Sequence, residues 1–591
     1  MDRYHGFWWS PDSRSIAFTE VDESAIFSYR ITHQGKAGVG LETQEDHRYP
    51  FAGGPNPLVK LGVLSLPENT SKEGGKAAYN PKWMDVWDEG QDGEFYVGRV
   101  HWFPDGSLGV QVENREQTML RLLRCCPTSG ESIILIEERT EYWINLHHLF
   151  RCLPRSVPLE EEKSEEMAVD GAFSFLWGSE RSGFMHLYLY TYLPGQSSAT
   201  LIQQMTSGEW VVESIIGIDQ VKDIIYFIGT YDSPLVKHLY AVPLAKGNTE
   251  TATPLRLTPE GGFYHAVMDQ RATRFVTVGS TPDTPAKMTL YELGNDPLAG
   301  SSTIMKELHS GETDPRVLAL TSCLKPPEII TFRPRDDQVD LFAALYAPDP
   351  AKYGPPPYPT IVAVYGGPHV QRVNRSWSCT VDMRAQYLRD LGFLVIKSDN
   401  RGSSRRGLAF EGAIKHNMGS LEITDQEDAV AAAVQMGLAD PARVGIYGWS
   451  YGGYMSAMAL CKAPQTFKVA VSGAPVTSWD GYDTHYTERY MGTPQSNPTG
   501  YSESSVLEHA DKMQGKLLLV HGLIDENVHF RHTARLINAL IEARKHYDFL
   551  LFPDERHSPR KLQDRIYMEQ RISDYFVQHL MKDSFKSASN L

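Results

Sequence analysis

The first half of the chain alternates short apolar runs with turn residues. The turn Trp9-Ser10-Pro11-Asp12 precedes the apolar run Ile16-Ala17-Phe18, and a second turn, Phe103-Pro104-Asp105-Gly106, precedes Leu108-Gly109-Val110. Proline fixes a backbone angle that a turn requires, and aspartate hydrogen-bonds to the backbone nearby, so each turn ends one strand and begins the next. The pattern therefore predicts antiparallel strand pairs.

Similar pairs recur as far as residue 293. They are predicted at residues 173–177 with 186–190, 224–229 with 238–242, and 275–278 with 288–293. Repeated antiparallel units are typical of propeller blades, whereas a β-sandwich, the alternative, accommodates fewer strand pairs. We predict an all-β, partial β-propeller domain over residues 1–324.

The pattern changes at about residue 325. Apolar runs of strand length occur at residues 360–365, 393–397, 443–447, 469–472, 517–520 and 549–552. Helical patterns lie between them, for example at residues 426–436 and 532–544. Because strands that alternate with helices form a mostly parallel, doubly wound sheet, we predict an α/β domain over residues 325–591.

Composition disfavours several classes of function. The formal net charge of −16 disfavours nucleic-acid binding, which requires clustered Lys and Arg. No apolar run is long enough for a transmembrane helix, and the first residues do not resemble a secretory signal. The six cysteines have no metal-binding spacing, so we expect free thiols in the cytoplasm and neither metal nor cofactor. The acidic run at residues 160–166 is interpreted as a solvated loop.

A candidate nucleophile lies at Ser450. The stretch Gly448-Trp449-Ser450-Tyr451-Gly452 matches G-x-S-x-G, follows the apolar run 444–447 and precedes a helical pattern at 455–461. This strand–turn–helix context is the one in which the motif exposes a serine at the end of a parallel sheet. It favours an α/β-hydrolase over a chance glycine-rich turn.

A serine nucleophile requires a base and an acid that orients the base. In α/β-hydrolases they follow the serine in the order acid, then histidine, and Asp525 and His557 each follow a predicted strand. Glu526 is an alternative acid, and His521 or His529 an alternative base, although we interpret both histidines as structural.

Two groups are candidates for the oxyanion hole. The backbone N–H of Tyr451, directly after the nucleophile, is one donor. Tyr365 lies just after an early predicted strand and could donate its hydroxyl; the alternative is that Tyr365 only packs.

Several stretches together carry a family resemblance. They are Arg48-Tyr49-Pro50-Phe51-Ala52-Gly53, Gly178-Ser179-Glu180-Arg181, Tyr365-Gly366-Gly367-Pro368, Asp399-Asn400-Arg401-Gly402-Ser403, Tyr486-Thr487-Glu488-Arg489-Tyr490-Met491-Gly492 and Asp525-Glu526-Asn527-Val528-His529. With the Ser450 motif, they resemble the prolyl oligopeptidase family of serine peptidases, in particular its dipeptidyl peptidase IV branch and the cytosolic members of that branch.

The resemblance implies a function and a set of site residues. It implies release of amino-terminal dipeptides with Pro or Ala at the second position, the triad Ser450, Asp525 and His557, and a homodimer. It assigns the oxyanion hydroxyl to Tyr365 and a bond with the substrate carbonyl to Asn527. The pocket for the proline ring is implied to consist of Val476, Trp479, Tyr482, Tyr486 and Val528. Aromatic walls suit a flat pyrrolidine ring, although ordinary core packing would explain the same residue types.

The chain departs from the family pattern at its start. In this branch a Glu-Glu pair that binds the substrate amine precedes a segment like Met1 to Trp9, and the given sequence begins after that pair. The earlier blades and a propeller arginine that helps to bind the substrate are likewise not in it. The sequence thus leaves three hypotheses: a dipeptidyl peptidase, a less restricted peptidase or esterase, and a non-catalytic propeller scaffold.

Overall fold

The computed structural model describes residues 5–66, 80–87, 94–153, 170–244, 251–300 and 302–581. The segment Met1 to Tyr4 and the acidic run at 160–166, both of which were interpreted from sequence, lie outside these ranges.

Strands β1 to β22 precede residue 311. They are Phe7–Trp9, Ser15–Asp22, Ser28–Thr32, Gln44–Arg48, Leu58–Ser65, Lys82–Trp83, Phe95–Trp102, Leu108–Asn114, Met119–Cys125, Ser132–Arg139, Phe150–Cys152, Phe173–Ser179, His186–Tyr192, Thr200–Gln204, Val212–Asp219, Ile224–Gly229, His238–Pro243, Leu255–Arg256, Phe263–Met268, Arg274–Ser280, Lys287–Leu293 and Ser302–Ser310.

These strands form five four-stranded antiparallel sheets and one hairpin. The first sheet contains β1, β2, β5 and β6, and the others contain β7 to β10, β11 to β14, β15 to β18 and β19 to β22. Strands β3 and β4 pair only with each other and form the β3–β4 hairpin. The strand pairs predicted from sequence are present, with ends that differ by a few residues.

Each sheet packs on the next in chain order. One apolar cluster joins Leu61 of the first sheet to Val110 of the second, and another joins Leu122 of the second sheet to Phe175 of the third. Two further clusters join the third sheet to the fourth and the fourth to the fifth. In the described part of the chain five sheets pack face to face in succession, which is a propeller-like arrangement, whereas a sandwich consists of a single pair of facing sheets.

Residues from 328 onward form an eight-stranded sheet. Its strands β23 to β30 are Glu328–Phe332, Leu341–Tyr346, Tyr358–Ala363, Leu394–Asp399, Ala439–Trp449, Val469–Gly473, Lys516–Gly522 and Asp548–Phe552. The order is β23-β24-β26-β25-β27-β28-β29-β30. Strand β24 pairs antiparallel with both of its neighbours, and the strands β25 to β30 are all parallel to one another. This is the mostly parallel sheet that the sequence predicts.

Helices cover both faces of this sheet. Helices α1 to α11 are Pro315–Thr321, Pro350–Tyr353, Trp377–Thr380, Met383–Asp390, Leu408–Glu411, Leu421–Gln435, Tyr451–Lys462, Thr484–Met491, Pro498–Glu503, Arg531–Glu542 and Leu562–Leu580. Apolar clusters lie on the two faces, one containing Ile446 and Leu519 and the other containing Tyr447 and Val520. Neighbouring strand residues face opposite sides, which explains the continuous apolar runs in the sequence.

The division of the chain into two domains between residues 324 and 325 remains a prediction.

Candidate active site

Ser450 lies on a sharp turn between β27, which ends at Trp449, and α7, which begins at Tyr451. Its φ and ψ angles are 61° and −118°, an uncommon backbone conformation for a residue with a side chain. Its N–H donates to the carbonyl of Gly473 at 2.8 Å, and its carbonyl accepts from the N–H of Tyr454 at 3.0 Å. The side chain is only partly buried at the end of the strand.

The glycines near Ser450 are required by close backbone contacts. A Cβ at Gly448 would lie 2.3 Å from the carbonyl oxygen of Gly452, and one at Gly452 would lie 2.4 Å from the carbonyl oxygen of Val364. Real Cβ atoms do not approach other atoms so closely. The sequence motif therefore has a steric cause at both of its glycine positions.

Asp525 and His557 are hydrogen-bonded to each other. The Nδ1–H of His557 donates to Oδ2 of Asp525 at 2.8 Å, which leaves Nε2 as a proton acceptor. The other oxygen of Asp525 accepts from the backbone N–H groups of Asn527 and Val528, each at 2.9 Å. Burial opposes ionisation of this carboxyl, but the hydrogen bonds from His521 and His557 outweigh it and hold its pKa well below the ordinary value.

The loop of His557 lies next to the Ser450 turn. The indole N–H of Trp449, directly before Ser450, donates to the carbonyl of His557 at 2.7 Å. Ser450, Asp525 and His557 follow strands β27, β29 and β30, so all three lie at the carboxyl edge of the sheet, where open α/β sheets bind their ligands.

The alternative residues have other environments. His521 is fully buried; its Nε2–H donates to Asp525 at 3.1 Å and to the carbonyl of Val528 at 2.9 Å, and its Nδ1 accepts from the hydroxyl of Thr533 at 2.7 Å. His529 is buried, and burial lowers its pKa to about 4. Glu526 forms an ion pair with Arg556. The choice of Asp525 as acid and His557 as base over these three residues remains a prediction. The sequence did not reveal that His521 also contacts Asp525, because only the fold brings the two side chains together.

Both candidate oxyanion donors lie beside the nucleophile. Tyr451 is the first residue of α7, where the N–H has no intrahelical acceptor. Tyr365 follows β25 at the same sheet edge, with its ring centroid 6.0 Å from that of Tyr451. Burial raises the pKa of Tyr365, so its hydroxyl keeps its proton at neutral pH. The side-chain amide of Asn400 donates to the carbonyl of Gly366 at 3.0 Å and supports this loop.

The predicted pocket residues come together next to Tyr451. The ring centroid of Trp479 lies 5.5 Å from that of Tyr451 and 6.1 Å from that of Tyr486, and the ring of Tyr482 stands edge-on to Tyr486 at 5.4 Å. Val476 and Val528 are buried. The hydroxyl of Tyr482 donates to the side-chain oxygen of Asn527 at 2.6 Å, which joins the pocket to the loop of Asp525.

Helix α8, which carries Tyr486, is held by an arginine from the propeller. The Nε and NH2 groups of Arg115 donate to the two oxygens of Glu488, each at 2.6 Å, and NH1 donates to Glu94 at 2.6 Å. Glu488 is buried and also accepts from the N–H of Gly53 at 2.8 Å. No sequence pattern indicates this pair, because its partners lie far apart in the chain.

The residues that the structure describes contain no group of three His, Cys, Asp or Glu side chains that could hold a metal ion. In that same part of the chain no helix is both long and apolar enough to cross a membrane.

The fold and the site define a serine hydrolase with an α/β-hydrolase domain that follows a propeller-like domain. The chain belongs to the prolyl oligopeptidase family of serine peptidases: residues 379–583 match the model of that family, and residues 1–286 match the dipeptidyl peptidase IV amino-terminal region.

Known relatives support this assignment over nearly the whole chain. The chain is 34% identical to dipeptidyl peptidase 8 of Homo sapiens over 643 residues, which cover 98% of this chain and 68% of that protein. The mouse protein of the same name is 33% identical over 98% of this chain and 69% of its own length. The crystal structure of Porphyromonas gingivalis dipeptidyl peptidase 4 superimposes with a TM-score of 0.81 at 27% identity, covering 97% of this chain and 74% of that one.

Proposed function

We propose that this serine peptidase releases amino-terminal dipeptides whose second residue is Pro or Ala. The observation that carries the proposal is the cluster of aromatic rings of Trp479, Tyr482 and Tyr486, which adjoins Tyr451 directly after the candidate nucleophile. A flat pyrrolidine ring packs on such walls, whereas a longer side chain would collide with them. The names of the relatives as dipeptidyl peptidases support the release of dipeptides.

The reaction follows from the contacts at the sheet edge. Nε2 of His557 accepts the hydroxyl proton of Ser450 as its oxygen attacks the carbonyl of the second substrate residue. The Tyr451 N–H and the Tyr365 hydroxyl stabilise the oxyanion. The peptide bond breaks, His557 protonates the leaving amine, and the dipeptidyl ester on Ser450 is then hydrolysed by water. Asp525 orients the imidazole and stabilises its protonated form, and Asn527 binds a carbonyl of the substrate.

The test compares reporter amides of Ala-Pro, Ala-Leu and acetyl-Ala-Pro. We expect hydrolysis of Ala-Pro and at least about 10-fold slower hydrolysis of Ala-Leu. The acetylated substrate measures whether a free amino terminus is required. Ser450→Ala is the control and should reduce kcat by about 10^6, as when a triad that acts as a unit loses its nucleophile. Equal rates on the free and acetylated substrates would instead indicate a less restricted peptidase or esterase. No turnover of any substrate, together with no labelling by a fluorophosphonate, would favour a scaffold.

We also propose a cytoplasmic location and a homodimer. All six cysteines are free, including the adjacent Cys125 and Cys126, as expected in a reducing compartment. The dimer rests on the family resemblance. Sedimentation equilibrium tests the dimer, and fractionation of cells that express the chain tests the location.

A further inference from the structure

Arg556 connects the loops of both partners of the candidate nucleophile. It directly precedes His557 in the chain, and its NH1 group donates to Glu526 at 3.1 Å and lies 3.5 Å from the carbonyl oxygen of Ile524. Ile524 and Glu526 are the two neighbours of Asp525. One guanidinium group next to His557 therefore contacts the residues on both sides of Asp525.

The backbones of the two loops also approach each other closely. A Cβ at Gly522 would lie 2.2 Å from the carbonyl oxygen of Arg556 and 2.3 Å from that of Glu555. The N–H of Ile524 donates to the carbonyl of Glu555 at 3.4 Å. These contacts set the spacing of the loops, and Arg556 adds an ion pair with Glu526 to the contact that His557 makes with Asp525.

The β3–β4 hairpin reaches the same arginine from the propeller side. The NH2 group of Arg556 donates to Glu45 of β4 at 2.7 Å, and His33 and His47 also contact the Glu45 carboxylate. Burial raises the pKa of Glu45, but the hydrogen bonds from Arg556, His47 and His33 outweigh it and lower that pKa to about 2. Glu45 is therefore a permanent anion at neutral pH and a fixed partner for Arg556.

A second contact fixes the hairpin on the Asp525 loop. The ring of Tyr29 on β3 stacks on His529 at 3.8 Å with an interplanar angle of 18°, and Tyr49 contacts the same imidazole at 4.4 Å. The hydroxyl of Tyr49 donates to the carbonyl of Asn527 at 3.4 Å. The hairpin thus contacts both loops, the Asp525 loop through aromatic rings and the His557 loop through Glu45.

We propose that Arg556 is a positioning residue for His557, and that Glu45 of the β3–β4 hairpin holds Arg556 in place. The side chains of Arg556, Glu45 and Glu526 are 25%, 26% and 40% exposed. Ion pairs with this exposure contribute little to the free energy of unfolding. Their effect is geometric: they hold the His557 imidazole in line with Asp525 and Ser450. The proposal rests on the triad of the proposed function.

The experiment compares Arg556→Met, Glu45→Gln and the double variant with the unmodified chain. We expect Arg556→Met to lower kcat for the Ala-Pro reporter by about 10- to 100-fold, the cost of a small misplacement of a reacting group. KM should stay within about 2-fold, because neither residue contacts the pocket. Glu45→Gln should lower kcat less. Because Glu45 acts through Arg556, the double variant should be no slower than Arg556→Met alone.

Arg443→Met is the matched control. Arg443 and its partner Asp440 are 21% and 22% exposed, and Arg443 lies toward the far end of β27 from Ser450. This variant should keep its kcat. Circular dichroism and Tm verify the folding of each variant, and the mild Glu45→Gln change serves if Arg556→Met does not fold.

The rate of Ser450 modification by a fluorophosphonate gives a second measurement that needs no dipeptide substrate. It should fall in parallel with kcat, because it also depends on His557. If the unmodified chain reacts with the fluorophosphonate but cleaves no dipeptide, the proposed function fails while this proposal is still tested by the labelling rates. Two results would overturn the positioning role. One is an unchanged labelling rate in folded Arg556→Met, and the other is a double variant in which the loss of kcat from Glu45→Gln adds in full to the loss from Arg556→Met.

Discussion

Ser450 is held in a conformation with positive φ that a side chain rarely adopts, and the contacts around it keep it there. Its N–H is bonded to Gly473, and its neighbouring glycines approach other backbone atoms too closely for any side chain. Such strain persists only where the surrounding structure overdetermines it. At this position it exposes the hydroxyl at the edge of the sheet.

The hydroxyl of Tyr365 gives the first test at the residue scale. Tyr365→Phe removes one donor and little volume. We expect kcat to fall by roughly 10^2 to 10^3 with KM nearly constant, as for the loss of one oxyanion donor. Steady-state kinetics on the Ala-Pro reporter provide the measurement. An unchanged kcat would mean that Tyr365 only packs.

The carboxylate of Asp525 gives the second test. Its folded-state pKa lies below the ordinary value, so its ionised form contributes stability at neutral pH that is lost as the pH falls toward the folded-state pKa. Asp525→Asn keeps the shape but favours the wrong tautomer of His557, and we expect kcat to fall by about 10^4. Glu526→Gln is the comparison, since Glu526 is the alternative acid. If Glu526→Gln proved the more damaging change, the assignment of the acid would be wrong.

At the scale of elements, helix α8 links the pocket to the propeller. The helix carries Tyr486 on one side and the buried Glu488 on another, and Glu488 is neutralised by Arg115 from the loop after β8. The position of the pocket wall therefore depends on an ion pair between the two halves of the chain.

Arg115→Met should disturb this helix. The variant leaves Glu488 buried without its charge partner, a change that typically costs about 3–5 kcal/mol. We expect a lower Tm and a raised KM for the Ala-Pro reporter, because Tyr486 moves with the helix.

A double variant and a control distinguish this effect from general damage. Arg115→Met/Glu488→Gln should recover part of the loss, because no unpaired charge remains. Arg124→Met removes a similar arginine, whose partner Asp105 is also buried, and should leave KM unchanged. A KM that rises equally in both arginine variants would contradict the role of α8.

At the scale of the whole molecule, a buried carboxyl pair joins the halves at a second place. The side-chain amide of Asn145 donates to Glu180 at 3.0 Å and to Glu411 at 2.9 Å, and Glu411 belongs to α5 of the hydrolase domain. Burial raises the pKa of both carboxyls, and the charge of Glu411 raises that of Glu180 further. The folded protein therefore binds protons that the unfolded chain releases.

This difference predicts a pH dependence of stability. The pKa values of both carboxyls are higher in the folded state than in the unfolded chain. At a pH between the two sets of values the folded state binds more protons than the unfolded state, so the free energy of unfolding declines as pH rises through the neutral range. Glu411→Gln imitates the protonated acid and should reduce this decline. We expect the difference in Tm between pH 6 and pH 8 to be smaller in Glu411→Gln than in the unmodified chain. A difference of the same size would show that the pair does not titrate in that range.

Sequence alone predicted the local features of this protein. The apolar runs predicted strands β25 to β30 to within a few residues, because a buried parallel strand must be apolar on both faces. The motif around Ser450 predicted the turn, because its glycines and its strand–turn–helix context are local properties. Asp525 and His557 were predicted from chain order and from their position after strands, and the pocket residues from the family resemblance.

Tertiary structure decided the contacts between distant segments. Three of these contacts join polar side chains that follow no local sequence pattern, and nothing near them in the chain indicates a partner. They are Arg115 with Glu488, Arg556 with Glu45, and Asn145 with two glutamates. The packing of five successive sheets, rather than two facing ones, likewise depends on which apolar faces meet. The physical reason is that hydrophobic periodicity and turn chemistry act over a few residues, whereas charge pairing and sheet packing depend on distances that exist only after the chain has folded.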